Sequence, residues 1–104
     1  MIDLTRKVIK KMKTYTYQST IYAVPGKGGA YTIFPYNIRE EFNKGRVKVH
    51  VTFDGYDYDG SIVNMGIKDE FDQVVYIIGI RKDIQKAINK TIGDTVEITL
   101  RERD

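Results

Sequence analysis

Val47, Val49, Val51 and Phe53 alternate with Arg46, Lys48, His50 and Thr52, a period of two that predicts a strand with one buried face. Val96, Ile98 and Leu100 repeat that alternation near the end of the chain. Asp54-Gly55 predicts a two-residue hairpin turn, because both residue types tolerate positive φ. The chain then returns through "YDYDGSIVNM", turns near Gly66 to Asp69, and leaves as the strand "FDQVVYIIGI". Upstream, "TYTYQSTIYAV" is rich in β-branched and aromatic residues and predicts one strand; "PGKGG" punctuates the chain and "AYTIF" begins the next.

The period changes to a helical one in three places. Leu4, Val8 and Met12 recur every fourth residue and predict a short amphipathic helix with a basic outer face. Ile38 and Phe42 lie one turn apart in "YNIREEFNK", with Pro35 expected at the start of that helix and Gly45 at its stop. "RKDIQKAINK" forms a third, ahead of Gly93-Asp94.

One layout occurs twice. Phe34 matches Ile80, Ile38 matches Ile84, Phe42 matches Ile88 and Asn43-Lys44 matches Asn89-Lys90. Gly45 matches Gly93, and Val47, Val49 and Val51 match Val96, Ile98 and Leu100. Each copy reads strand, short helix, glycine, strand. Such a unit has one apolar face and too little area to bury it alone, so two copies packed together are expected to close one core.

At 104 residues the chain is one small domain, divided here into a basic helical extension at 1–13 and a barrel at 14–104. With no cysteine there is neither a disulfide framework nor a thiolate metal site, which fits a cytoplasmic protein. Its apolar runs, "VVYIIGI" among them, are too short for a helical membrane span, and the N-terminus lacks the apolar centre of a secretory signal. A net charge of +3 permits an anionic partner without demanding one, and the dense basic segment is Arg6, Lys7, Lys10, Lys11 and Lys13.

Candidate chemistry centres on the glycine loop. A phosphate-gripping P-loop needs Gly-Lys followed by Ser or Thr and then a helix; here Lys27 is followed by Gly28 and Gly29, and a strand comes next. The loop therefore reads as a turn, whose backbone amides beside Lys27 remain able to hold a small anion. "DGYDYDG" fails as an EF-hand loop, since placing Gly60 sixth leaves Gly55 first and Gly66 twelfth. His50, the single histidine, has no second histidine or cysteine to share a zinc ion and no local nucleophile motif. No metal or cofactor is expected. Among the eight tyrosines, Tyr15, Tyr17, Tyr22 and Tyr31 are expected at one end of the barrel, Tyr31 joining Lys27, Gly28, Gly29 and Ser61 in a shallow ligand pocket.

"FPYNIREEF" and "IRKDIQKAINKTIGDTVEI" resemble the half-barrel unit of the AbrB/MazE/MraZ-like group, with Arg81 standing where the first copy has Pro35. Over Tyr15 to Leu100, "PGKGGAYTIFP", "GRVKVHVTFDG" and "GDTVEITL" together resemble a small bacterial barrel domain of unknown function, one also found fused to YdeI/OmpD-associated, bacteriocin-protection-type proteins. The resemblance implies a mainly β member of the α+β class: a double-split β-barrel of two pseudo-repeats with short helices, plus the N-terminal helix. It attaches no firm activity. Basic residues of the DNA-binding relatives fall at places held here by Tyr31 and Ile77, which removes the main cationic contact with a phosphate backbone, although Arg39 is kept.

The resulting expectation is a non-enzymatic module that binds a small ligand or a protein partner. The alternative is an AbrB-like DNA-binding or regulatory protein using Arg6, Lys7, Lys10, Lys11 and Arg39. Either a monomer or a homodimer suits a one-chain barrel.

Overall fold

A computed structural model describes residues 13–26 and 28–103. The expected N-terminal helix and Lys27 lie outside the described residues. Seven strands are present: β1 (Thr14–Thr20), β2 (Tyr22–Ala23), β3 (Ala30–Phe34), β4 (Val47–Phe53), β5 (Tyr56–Lys68), β6 (Val74–Gly79) and β7 (Thr95–Glu102). Helix α1 (Ile38–Phe42) joins β3 to β4, and α2 (Lys82–Ala87) follows β6. The chain is mainly β, a curled antiparallel half-barrel sheet with the order β1-β7-β4-β5-β6-β3-β2.

Two strands serve both ends of that order. The first half of β5 pairs with β4, from Phe53↔Tyr56 to Val47↔Ile62, and its second half pairs with β6 from Val63↔Ile77. The predicted strand "TYTYQSTIYAV" is likewise divided: β1 pairs with β7 and β2 with β3, with a break at Ile21. Ile21 is fully buried, and its amide donates to Asp94 O at 2.9 Å while its carbonyl accepts from Gly93 N at 2.8 Å. Gly93 has φ 98, a conformation glycine adopts without Cβ strain. Thus the Gly93-Asp94 pair holds the bend that sends the chain from one end of the sheet to the other.

The two ends also meet through Ser19. Its hydroxyl accepts from Ile33 N at 3.0 Å and donates to Thr20 O at 2.9 Å, in a nearly buried setting. Ser19→Ala would leave the Ile33 N–H without that acceptor. A loss of about 1–3 kcal/mol is expected, read by urea denaturation, together with faster amide exchange at Ile33; unchanged exchange there would show that another group serves as acceptor.

Strand alternation places Val47, Val49, Val51 and Phe53 in one core with Val96, Ile98 and Leu100, all essentially inaccessible. The two segments pair directly, Val51 opposite Leu100. Asp54 (φ 50) and Gly55 (φ 88) make the expected two-residue turn, both in the left-handed region.

Three local expectations change. Helix α1 begins at Asn37 rather than Pro35: the Asn37 side chain accepts from Arg39 N and Glu40 N, satisfying amides that a helix start leaves free. It ends at Asn43, whose φ of 57 and amide bond to Arg39 O close the last turn. Gly45 serves another purpose, since a Cβ there would lie 3.1 Å from the Arg39 guanidinium. The turn expected near Gly66 to Asp69 comes later. Gly66 (φ 82) sits in the irregular stretch of β5, and Asp69 Oδ1 accepts from Phe71 N and Gln73 N to form the turn itself.

Candidate functional site

The glycine turn, the end of β6 and the start of α2 surround a cavity of about 340 Å³. Gly28 and Gly29 form one side. The loop is a tight connection between β2 and β3, with Val24 N donating to Gly29 O at 2.8 Å and with Gly26 and Gly28 both at φ 70. Arg81, Lys82 and Gln85 bring polar groups, and Tyr58, Ile80 and Ile92 bring apolar surface.

Each wall has a local cause. Ile80 is anchored in the core, and its amide donates to Ala30 O at 3.1 Å, which fixes β6 beside the glycine turn. The Tyr58 ring lies over Gly60, where an added Cβ would come within 2.7 Å of the ring. The Gln85 side chain, 9% exposed, donates from Nε2 to Ile80 O at 3.0 Å; its carbonyl oxygen accepts no hydrogen bond from a described residue. Arg81 pairs with Asp83 at 3.1 Å, whereas Lys82 pairs with no carboxylate of a described residue. The wall therefore offers a cation, a side-chain amide acceptor and an apolar surface, a mixture suited to a small molecule with a charged end.

The five candidate ligand residues do not gather in one place. Gly28 and Gly29 line the cavity. Tyr31 is buried, pairs with Gly79 and stacks on Tyr22 with ring centroids 5.5 Å apart. Ser61 stands opposite Lys48 on β4, and Lys27 is outside the described residues. Of the alternative set, Arg6, Lys7, Lys10 and Lys11 are also outside them, and Arg39 is exposed on α1. The wall residues Arg81, Lys82, Gln85 and Ile92 carried no signal as a group, since they become neighbours of the glycine turn only through the β3–β6 pairing.

Tyr15 and Tyr17 pack against the core, and the Tyr15 hydroxyl donates to Glu41 Oε1 at 2.6 Å. Burial, reinforced by the Glu41 bond, pushes the Tyr15 phenol upward, while the same bond leads the causes that hold Glu41 below the usual carboxylate range. Burial also raises Tyr17, whose hydroxyl has no hydrogen-bond partner among the described residues.

On the outer face, His50 is clasped by two carboxylates of β5: Nδ1 lies 2.8 Å from Asp59 Oδ1 and Nε2 3.2 Å from Asp57 Oδ1. Both ring nitrogens are thus engaged. The Asp59 hydrogen bond leads the causes that raise His50 above the ordinary imidazole value. The His50 contribution to stability is therefore complete below about pH 6.5, the unfolded value, and is lost as pH rises through the higher folded value. An NMR titration should find the His50 midpoint above 6.5, and Asp59→Asn should lower it; an unmoved midpoint in that variant would mean the clasp is not the cause.

The described residues form a mainly β half-barrel with a cavity of mixed apolar and polar lining beside its glycine turn. The profile of the family described as Domain of unknown function (DUF1905) matches residues 17–100, and the chain belongs to that family. No curated protein matches it. Among the described residues no helix is long and apolar enough to cross a membrane.

Proposed function

We propose that this protein is a non-enzymatic binding module, and that its ligand is a small organic anion held in the cavity beside Gly28 and Gly29. The observation that carries the reading is the cavity wall itself. Lys82 and the buried Gln85 stand beside apolar Ile80 and Tyr58 in a space of about 340 Å³, within the size range of small-molecule sites. The absence of catalysis is part of this proposal. It is supported by the engagement of both His50 nitrogens with carboxylates, which leaves the chain's single imidazole no ring nitrogen to activate a nucleophile.

The same reading includes a double-split barrel built from two related halves, akin to the AbrB/MazE/MraZ-like group. Strand register supports it. Val51 and Leu100 occupy matching places in the two copies, and they pair with each other at the middle of the β4–β7 ladder. The offset that matches Phe34 with Ile80 also matches Thr32 with Ile78, and these two pair in the β3–β6 ladder. A local two-fold relation between halves produces such self-matched pairs. Asn43 and Asn89, also matched, both have φ 57. Kinship in architecture does not carry DNA binding with it, and Tyr31 and Ile77, at the places of the relatives' basic residues, are buried. Ligand binding is therefore the favoured reading.

Titration of ¹⁵N-labelled protein with benzoate and nicotinate tests it. At least one probe is expected to shift the amides of Gly28 and Gly29 and the Gln85 side-chain amide. Gly79, whose added Cβ would meet only Ala30 O at 3.9 Å, can accept a side chain. Gly79→Leu should fill part of the cavity and abolish the shifts. If no probe moves these signals, or the shifts survive in Gly79→Leu, the reading fails.

A further inference from the structure

A second cavity, of about 350 Å³, lies along α2 and shares Lys82, Gln85 and Thr91 with the first. Its remaining wall includes Lys86 and Lys90, with Asp94 as the one carboxylate. The charges here are unequally committed. Lys90 Nζ is held by Asp54 Oδ2 at 2.8 Å and by Thr95 O at 2.6 Å. Asp94 Oδ2 accepts from Thr91 N at 2.8 Å. Lys82 and Lys86, one helical turn apart, pair with no carboxylate of a described residue. Residues at that spacing have Cβ atoms roughly 5–6 Å apart, so both ammonium groups can reach one tetrahedral anion.

Gln85 stands in the wall common to both cavities. Its side chain is about nine-tenths buried, and Nε2 is committed to Ile80 O. The carbonyl oxygen accepts from no described residue, and it can take an N–H or O–H from whatever lies across it. The apolar part of the first cavity, Tyr58, Ile80 and Ile92, suits a flat organic body.

We propose that the two cavities form one elongated site for a phosphomonoester of a flat, hydrogen-bond-donating organic body. The phosphate lies between Lys82 and Lys86, a donor of the body meets Gln85, and the body rests against Tyr58, Ile80 and Ile92. This assignment rests on the reading of the first cavity given above and adds the chemical class of its ligand.

Calorimetric or NMR titration of the full chain with adenosine monophosphate, adenosine, ribose 5-phosphate and inorganic phosphate decides it. Adenosine monophosphate is expected to bind about tenfold or more tightly than adenosine, as charge-assisted hydrogen bonds to a phosphate would give, and more tightly than either phosphate lacking the base. The variant K86Q, which alters only the second cavity, should erase most of that advantage and leave adenosine binding unchanged. Equal binding of adenosine and its monophosphate, or an unaffected K86Q, overturns the phosphate assignment while Gly79-sensitive adenosine binding keeps the first cavity. Binding of inorganic phosphate as tightly as the nucleotide overturns the role of the body. No response to any of the four probes overturns the whole assignment, and the benzoate and nicotinate titrations then judge the cavity separately.

Discussion

Replacing Phe34 with alanine is expected to remove about 3–5 kcal/mol of stability, the range for truncating a buried aromatic residue. Phe34 is 2% exposed and sits at the centre of an aromatic cluster. Its ring lies 5.3 Å from Tyr15, 5.4 Å from Tyr36, 5.9 Å from Tyr17 and 6.2 Å from Phe42, the first three edge-on. These rings come from β1, from the β3–α1 connection and from α1, so the cavity left by truncation would open between all of them at once. Small domains are stable by only about 5–15 kcal/mol, so the loss takes a large share of the total. Thermal unfolding should fall by roughly 12–40 °C, at about 4–8 °C per kcal/mol for a domain near this size. Phe34→Leu, which keeps much of the volume, should cost about half as much or less. A Phe34→Ala loss below about 1 kcal/mol would mean that the cluster collapses readily and that Phe34 does not organise it.

The second large effect is expected at Asp54. Its Oδ1 accepts from Glu97 N at 2.8 Å, its amide donates to Glu97 O at 2.8 Å, and its Oδ2 holds Lys90 at 2.8 Å. One residue thereby ties the β4–β5 turn to β7 and to the segment after α2. Asp54 also has φ 50, which aspartate tolerates better than alanine. Asp54→Ala should cost about 2–3 kcal/mol, near the value of one hydrogen bond to a charged group plus backbone strain, with partial solvent exposure reducing the ion-pair share. Asp54→Asn, which keeps the acceptor and the turn but not the charge, should cost about half as much.

Acidity gives that prediction a second measurement. Partial burial pushes the Asp54 carboxyl upward, but the Lys90 hydrogen bond, the Glu97 amide and the Lys90 charge together hold it below the usual aspartate range. A group with a lowered folded pKa stabilises the fold above its unfolded value, near 3.9, and loses that contribution as pH falls through the lower folded value. The stability gap between the native protein and Asp54→Ala should therefore be widest near neutral pH and narrow below about pH 4. A gap that stays constant from pH 7 to pH 2 would assign the whole loss to backbone conformation instead.

These effects bear on the cavity through Lys90. Because Asp54 occupies the Lys90 ammonium, the cations left to meet a ligand along α2 are Lys82 and Lys86. Asp54→Ala would free Lys90 beside them, so binding measurements on that variant report a changed site as well as a weakened fold.

Much of the framework was legible residue by residue, because the features concerned are local. Alternation at Val47 to Phe53 fixed which side of β4 faces inward, and Asp54-Gly55 specified its own turn through two residues that accept positive φ. The helix ends were misplaced by residues of the right kind at the wrong position. Pro35 and Gly45 are common boundary residues, but Asn37 and Asn43 supply the actual hydrogen bonds of the cap and the left-handed close. The turn expected over Gly66 to Asp69 forms only from the end of that range, where Asp69 accepts from two amides, since Gly66 lies within β5.

What the chain alone determined was the inward face of β4 and of β7 and the turn at Asp54-Gly55, since each depends on a short period or on the φ preference of one or two residues. Only the tertiary structure decided that the first predicted strand divides at Ile21, that β5 changes partner after Ile62, and that Gly28 and Gly29 stand beside Arg81, Lys82 and Gln85. Those facts rest on register between strands and on hydrogen bonds between residues far apart in the chain, such as Ile21 with Gly93 and Asp94. A hydrophobic pattern specifies which face of a strand is inside; it does not specify the neighbour against which that strand will lie.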